Sequence, residues 1–147
     1  ELRRKKRMRK INKIIVHCSA TPEGRDVSLD TIKGWHVNER GWSDIGYHFV
    51  ITLDGTVHSG RPINKSGAHT LNYNSNSIGV CYVGGMNKEM KLAKDTRTED
   101  QKDALVNLLC TLKDTYGGII HGHRDFANKA CPSFDATKEY ENISNRY

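Results

Sequence analysis

The chain has 147 residues, 36% hydrophobic and 27% charged, the proportions of one ordinary globular domain with a single core. No apolar run approaches the roughly 20 residues that span a bilayer as a helix, so no membrane-crossing helix is expected. The net charge of +6 is local: residues 1–10 hold seven Lys or Arg and one acid, leaving 16 basic and 16 acidic side chains in residues 11–147.

The basic decapeptide ELRRKKRMRK repels itself and is expected to stay solvated and disordered. By charge alone it could meet nucleic acid, an anionic membrane or an acidic wall polymer. Residues 11–147 form the domain. Its hydrophobic pattern begins with a short buried strand over residues 11–17, rich in β-branched Ile14, Ile15 and Val16. Residues 20–26 read as a turn. Ser28 can cap a helix running to about residue 40, with Asp30 in its first turn and Gly41 past its end. Residues 47–53 and 56–59 read as a hairpin around Asp54-Gly55, taken as a two-residue turn. Residues 77–83, SIGVCYV, form another buried strand.

The long helix has the strongest signal. Thr98 and Gln101 make a capping box. Ala104, Leu105, Leu108, Leu109, Leu112 and Tyr116 then give one apolar stripe, and Gly117-Gly118 ends it. A strand from about residue 119 and a last helix from about residues 133–135 follow. Alternating strands and helices define an α/β class: one domain with a central mixed sheet and about three flanking helices.

Seven histidines and four cysteines offer several metal sites on paper. His17 and Cys18 are neighbours on a strand and point to opposite faces, as do Tyr47 and His48. In the segment HGHRDFANKACPSFD (121–135), His121 and His123 share a face if the chain is extended, so spacing does not choose between them. Two imidazoles and a thiolate would leave a fourth tetrahedral position for water, the mark of a catalytic zinc site. Cys131 could equally be a buried thiol or a nucleophile activated by a histidine. Cys81 and Cys110 lie in apolar patterns and are expected to be buried thiols. No CxxC pair is present, and this usage fits synthesis in a reducing compartment.

The segments VHCSAT (16–21), IGYHFVI with DGTVHSGR (45–61), NSIGVCYVGG (76–85) and HRDFANKACPSFD (123–135) together resemble one family. This is the T7 lysozyme type of N-acetylmuramoyl-L-alanine amidase, related to the peptidoglycan recognition proteins. The resemblance runs from about residue 12 to 140. It implies one catalytic Zn2+ held by His17, His123 and Cys131, and catalytic roles for Tyr47 and Lys129. His69, in a matching segment, is read as a substrate-contacting cleft residue, and His48, on the face opposite Tyr47, as a structural one. On residue type alone, Tyr47 reads as a core aromatic beside Phe49 and Lys129 as a solvated loop lysine. Trp35 and Trp42 are read as core or cleft-wall aromatics.

The implied function is zinc-dependent cleavage of the amide between N-acetylmuramic acid and L-alanine in peptidoglycan, by a monomeric phage or prophage endolysin. Such an enzyme is made in the cytoplasm and acts on the cell wall. Alternatives are a bacterial wall-recycling amidase or a non-catalytic peptidoglycan-binding module of the same fold, which typically lacks the metal-binding cysteine. Nucleic acid is not an expected partner. Neither the decapeptide nor the polar segment 87–97 is assigned a role by the resemblance.

Overall fold

In the computed structural model, residues 9–146 are described; of the basic block expected to be disordered, residues 1–8 lie outside the described residues, while Arg9 is bonded to the Ile63, Ser75 and Ser77 carbonyls. Five strands form one sheet: β1 (Lys13–Cys18), β3 (Phe49–Ile51), β4 (Val57–Ser59), β5 (Ser77–Tyr82) and β7 (Ile119–Gly122). Their order is β4-β3-β5-β1-β7, with every neighbouring pair parallel except β3 and β4. The sheet is therefore mixed, as its pattern predicts. All six residues of β5 and five of the six in β1 are buried, which explains why these strands read as apolar runs rather than alternations.

The two faces are covered differently. Ile14, Val16, Ile78, Val80 and Tyr82 pack on one face beneath α2 (Glu99–Tyr116), which supplies Leu105, Leu109 and Leu112. Burying each such side chain contributes about 1.5–3 kcal/mol. The capping box is complete: Thr98 accepts from the Gln101 amide, and the Gln101 side chain accepts from the Thr98 amide. On the other face, α1 (Leu29–Gly34) and a following π turn over Trp35–Glu39 set Ile32 and Trp35 against Val50, Cys81 and Val83. Ser28 caps α1 as expected.

Two short helices, α3 (Ala136–Glu139) and α4 (Glu141–Ser144), follow, giving four α-helices among the described residues where about three are expected. Asp135 is the N-cap of α3. The hairpin departs from the two-residue expectation. Thr52 N–H still donates to Thr56 C=O, so the loop is Leu53-Asp54-Gly55, with Gly55 at φ 84°. That is a three-residue turn ending in a left-handed residue, which glycine adopts without strain. A pair of two-residue strands, β2 (Thr21–Pro22) and β6 (Gly85–Met86), makes a small second sheet too short to leave a pattern.

Segment 87–97 gains a structural role at its end. The Arg97 guanidinium is buried, bonds Asp95 and Glu139, and lies 3.5 Å over the Phe134 ring. It thereby ties the start of α2 to α3. Cys81 is buried as expected, but Cys110 is only partly so, because it sits at the margin of the α2 stripe.

Candidate metal centre and cleft

The site stands at the carboxyl ends of the parallel strands, where open α/β sheets place their ligands. His17 is the penultimate residue of β1 and faces away from α2, opposite Cys81 in register. After Gly122 the chain leaves β7 and tightens into a 3-10 turn over His123–Asp125, which swings His123 back towards β1. The loop then returns Cys131 to the same place. One nitrogen from each histidine and the Cys131 sulfur lie within 4.8 Å of one another.

His121 stays out of this cluster. It packs on Phe126 at 5.0 Å between ring centroids and lies 3.7 Å from the Asp125 carboxylate. The strand stops at Gly122, so the stretch is not extended through His123 and the two histidines do not share a face.

The cluster fits a tetrahedral zinc ion. Cys131 Sγ is 3.8 Å from His17 Nδ1, against about 3.6 Å between a thiolate and an imidazole on one tetrahedral zinc with ordinary bond lengths. Burial, with His69, His123 and Lys129 nearby, holds the His17 imidazole well below the ordinary histidine range. Burial and Lys129 lower His123 in the same direction. Both are thus neutral, the form that binds metal. The Cys18 backbone N–H donates to Cys131 Sγ at 3.2 Å. Against that amide, a side-chain hydrogen bond with the Cys18 thiol and burial push the Cys131 thiol up, so metal binding here displaces a proton.

A cleft of about 440 Å³ adjoins this cluster, lined by Trp42, His69, Asn72, Phe126 and Lys129 together with His123. Lys129 is exposed, on the loop between His123 and Cys131. Tyr47 sits beside this cluster, its ring 5.1 Å from that of His17 and 5.5 Å from that of His36. Burial and the thiols of Cys81, Cys131 and Cys18 push its hydroxyl well above the ordinary phenol range. His48 points to the other side, where its Nδ1 accepts from the Gly79 N–H and its Nε2–H donates to the Lys65 carbonyl. It is structural, as expected. Trp35 belongs to the core and Trp42 to the cleft wall.

Four contributors carry no sequence signal of their own. His36 accepts from the Gly46 N–H at 2.9 Å and braces the loop that delivers Tyr47. Tyr73 and Phe126 stack at 4.4 Å and join the two walls of the cleft. Cys18 supplies its backbone amide to the Cys131 sulfur.

An open α/β sheet that gathers two imidazoles and a thiol at its strand ends, beside a cleft, is an enzyme scaffold. Residues 7–134 match the family model described as N-acetylmuramoyl-L-alanine amidase. The endolysin of Escherichia phage T7 is 46% identical over 129 residues, 87% of this chain and 84% of that protein. Peptidoglycan-recognition protein SC2 of Drosophila melanogaster is 36% identical over 121 residues, 80% of this chain and 62% of that protein. Among solved structures, the N-acetylmuramoyl-L-alanine amidase LysC from Clostridium intestinale URNW superposes with a TM-score of 0.74 at 29% identity, over 91% of this chain and 83% of that one. The chain belongs to the N-acetylmuramoyl-L-alanine amidase family.

Proposed function

We propose that this chain is an endolysin that hydrolyses the amide between the lactyl group of N-acetylmuramic acid and L-alanine in peptidoglycan, using one zinc ion held by His17, His123 and Cys131. The observation that carries the reading is the convergence of those three donors, of which His123 also lines the cleft. When bound, zinc would supply a water made nucleophilic near neutral pH.

The protein's own groups account for the rest. Attack on the amide puts negative charge on its carbonyl oxygen. Lys129, exposed on the cleft wall, offers an ammonium to that charge. Tyr47, packed beside His17, offers a hydroxyl that orients the reacting groups. Trp42 and Phe126 give the cleft apolar walls against which a sugar ring or an alkyl stem can rest. His69 lines the same cleft, which supports its expected contact with substrate.

Metal-free protein incubated with purified cell wall, with and without added zinc, tests the reading. Zinc-restored release of free L-alanine amino groups is the expected result. Zinc binding without release would make the chain a binding module, with Tyr47 and Lys129 as substrate contacts.

A further inference from the structure

His69 borders the cleft, yet both of its ring nitrogens are turned into the protein. Nδ1 lies 2.8 Å from His17 Nε2 and 2.9 Å from Thr70 Oγ1. Nε2 lies 3.3 Å from Ser77 Oγ, which in turn is 2.7 Å from the Tyr73 carbonyl oxygen.

The direction of each bond follows from the far end. A carbonyl only accepts, so the Ser77 hydroxyl donates to Tyr73 and keeps its lone pairs free. One of those pairs accepts from His69 Nε2–H. A neutral imidazole protonated at Nε2 has a bare Nδ1, which accepts from His17 Nε2–H. The Thr70 hydroxyl, 3.3 Å from His17 Nε2, is the longer alternative acceptor. His17 is left with a bare Nδ1, the atom that faces the Cys131 sulfur.

The ring is also fixed by shape. A Cβ on Gly79 or on Gly67 would come within 2.6 Å of it, so two glycines leave the space that His69 fills. Its backbone is held as well: the amides of His69 and Thr70 both donate to Asn74 Oδ1, at 2.8 and 2.9 Å.

We propose that His69 is a positioning residue of the metal centre, the middle of a chain from the Tyr73 carbonyl through Ser77 that fixes which nitrogen of His17 is free to bind metal. The proposal rests on the reading of His17 as a ligand. Outer partners of ligating histidines typically contribute about 10- to 100-fold in metal affinity. A purely substrate-contacting His69 would contribute to KM and nothing to zinc affinity.

The test titrates zinc into metal-free protein against a competing chelator and compares KM on a peptidoglycan fragment. Long-range 1H–15N NMR of the metal-free wild type reads the two tautomers directly. Protonation of His17 and His69 at Nε2 is expected. His69→Ala should weaken zinc binding about 10- to 100-fold, and His69→Asn, whose Oδ1 can stand where Nδ1 stood, should recover part of it. Ser77→Ala breaks the chain one link further out and should weaken zinc binding by a smaller factor; it carries the test if His69→Ala does not fold. Wild-type zinc affinity in these variants with a raised KM, or a His17 protonated at Nδ1, would overturn the proposal while leaving the zinc reading intact. A wild-type chain that binds no zinc, or that keeps its zinc in His17→Ala, would sink the ligand reading itself.

Discussion

The backbone N–H of Cys18 donates to the sulfur of Cys131, 113 positions further along the chain, at 3.2 Å. One strand end therefore delivers two things to the same sulfur: the His17 imidazole beside it and an amide that favours its thiolate. Cys131→Ser should lose zinc by more than the factor of about 100 that outer partners reach, because a hydroxyl is a far poorer zinc ligand than a thiolate. Cys18→Ala keeps the amide and should keep the zinc. Chelator competition on both variants checks this, and strong zinc binding by Cys131→Ser would remove Cys131 from the ligand set.

Lys129 reaches the cleft from the loop between two proposed ligands, but its ammonium is exposed and belongs to no ion pair among the described residues. Lys129→Ala should therefore keep zinc and stability while kcat falls about 10²–10³-fold, the usual cost of removing a donor to a developing oxyanion. Zinc loss in this variant would mean that the lysine shapes the loop instead.

Tyr47→Phe separates packing from chemistry. The phenyl ring can keep its place between His17 and His36, so folding and zinc affinity should be unchanged. A fall in kcat of about 10²-fold or more is expected if the hydroxyl serves proton transfer or orientation. Unchanged kcat would return Tyr47 to the role of a core aromatic, which residue type alone assigns it.

Legibility in the sequence followed the length and regularity of each element. The capping box and apolar stripe of α2, and the buried runs of β1 and β5, could be read because many residues repeat one pattern. The turn after β3 was misjudged because Asp-Gly ends a three-residue loop as readily as it fills a two-residue one; only the Thr52–Thr56 pairing separates them. Periodicity could not choose His123 over His121, since the choice depends on where β7 stops, and one Gly at position 122 marks that point weakly. Arg9 was hidden for another reason. Among seven basic residues nothing in the sequence sets Arg9 apart.

Two buried histidines away from the metal cluster set an acid limit on stability. His36 and His48 are both lowered from 6.5 to about 4, chiefly by burial, with Arg61 adding to each. Each also uses Nδ1 to accept a backbone N–H, from Gly46 and Gly79, and protonation would destroy that acceptor. Above pH 6.5 both states are neutral and the shifts have no effect. As pH falls from 6.5 towards 4, the unfolded chain binds protons that the native state refuses, so stability declines. The loss is at most about 3 kcal/mol per histidine. Urea unfolding of metal-free protein between pH 7 and 4.5 should show it, and His36→Asn, which keeps an acceptor but does not titrate, should flatten the slope. An unchanged slope in that variant would remove His36 from the account.

Arg9 closes the basic block by entering the fold. Its Nε donates to the Ile63 carbonyl at 3.1 Å, and one terminal nitrogen donates to the Ser77 and Ser75 carbonyls at 2.8 and 3.3 Å. These carbonyls bracket the loop that carries His69, so one guanidinium spans both ends of a cleft wall. Hydrogen bonds from a charged donor contribute about 1.5–3 kcal/mol, and Arg9→Ala should cost an amount in that range. Arg9→Lys should recover little of it, because a single ammonium cannot span the positions that the planar fork reaches. Amide hydrogen exchange over residues 63–77 should quicken in both variants. If Arg9→Ala leaves exchange and unfolding unchanged, the bracket contributes nothing, and the wall is held by Asn74 and the glycines alone.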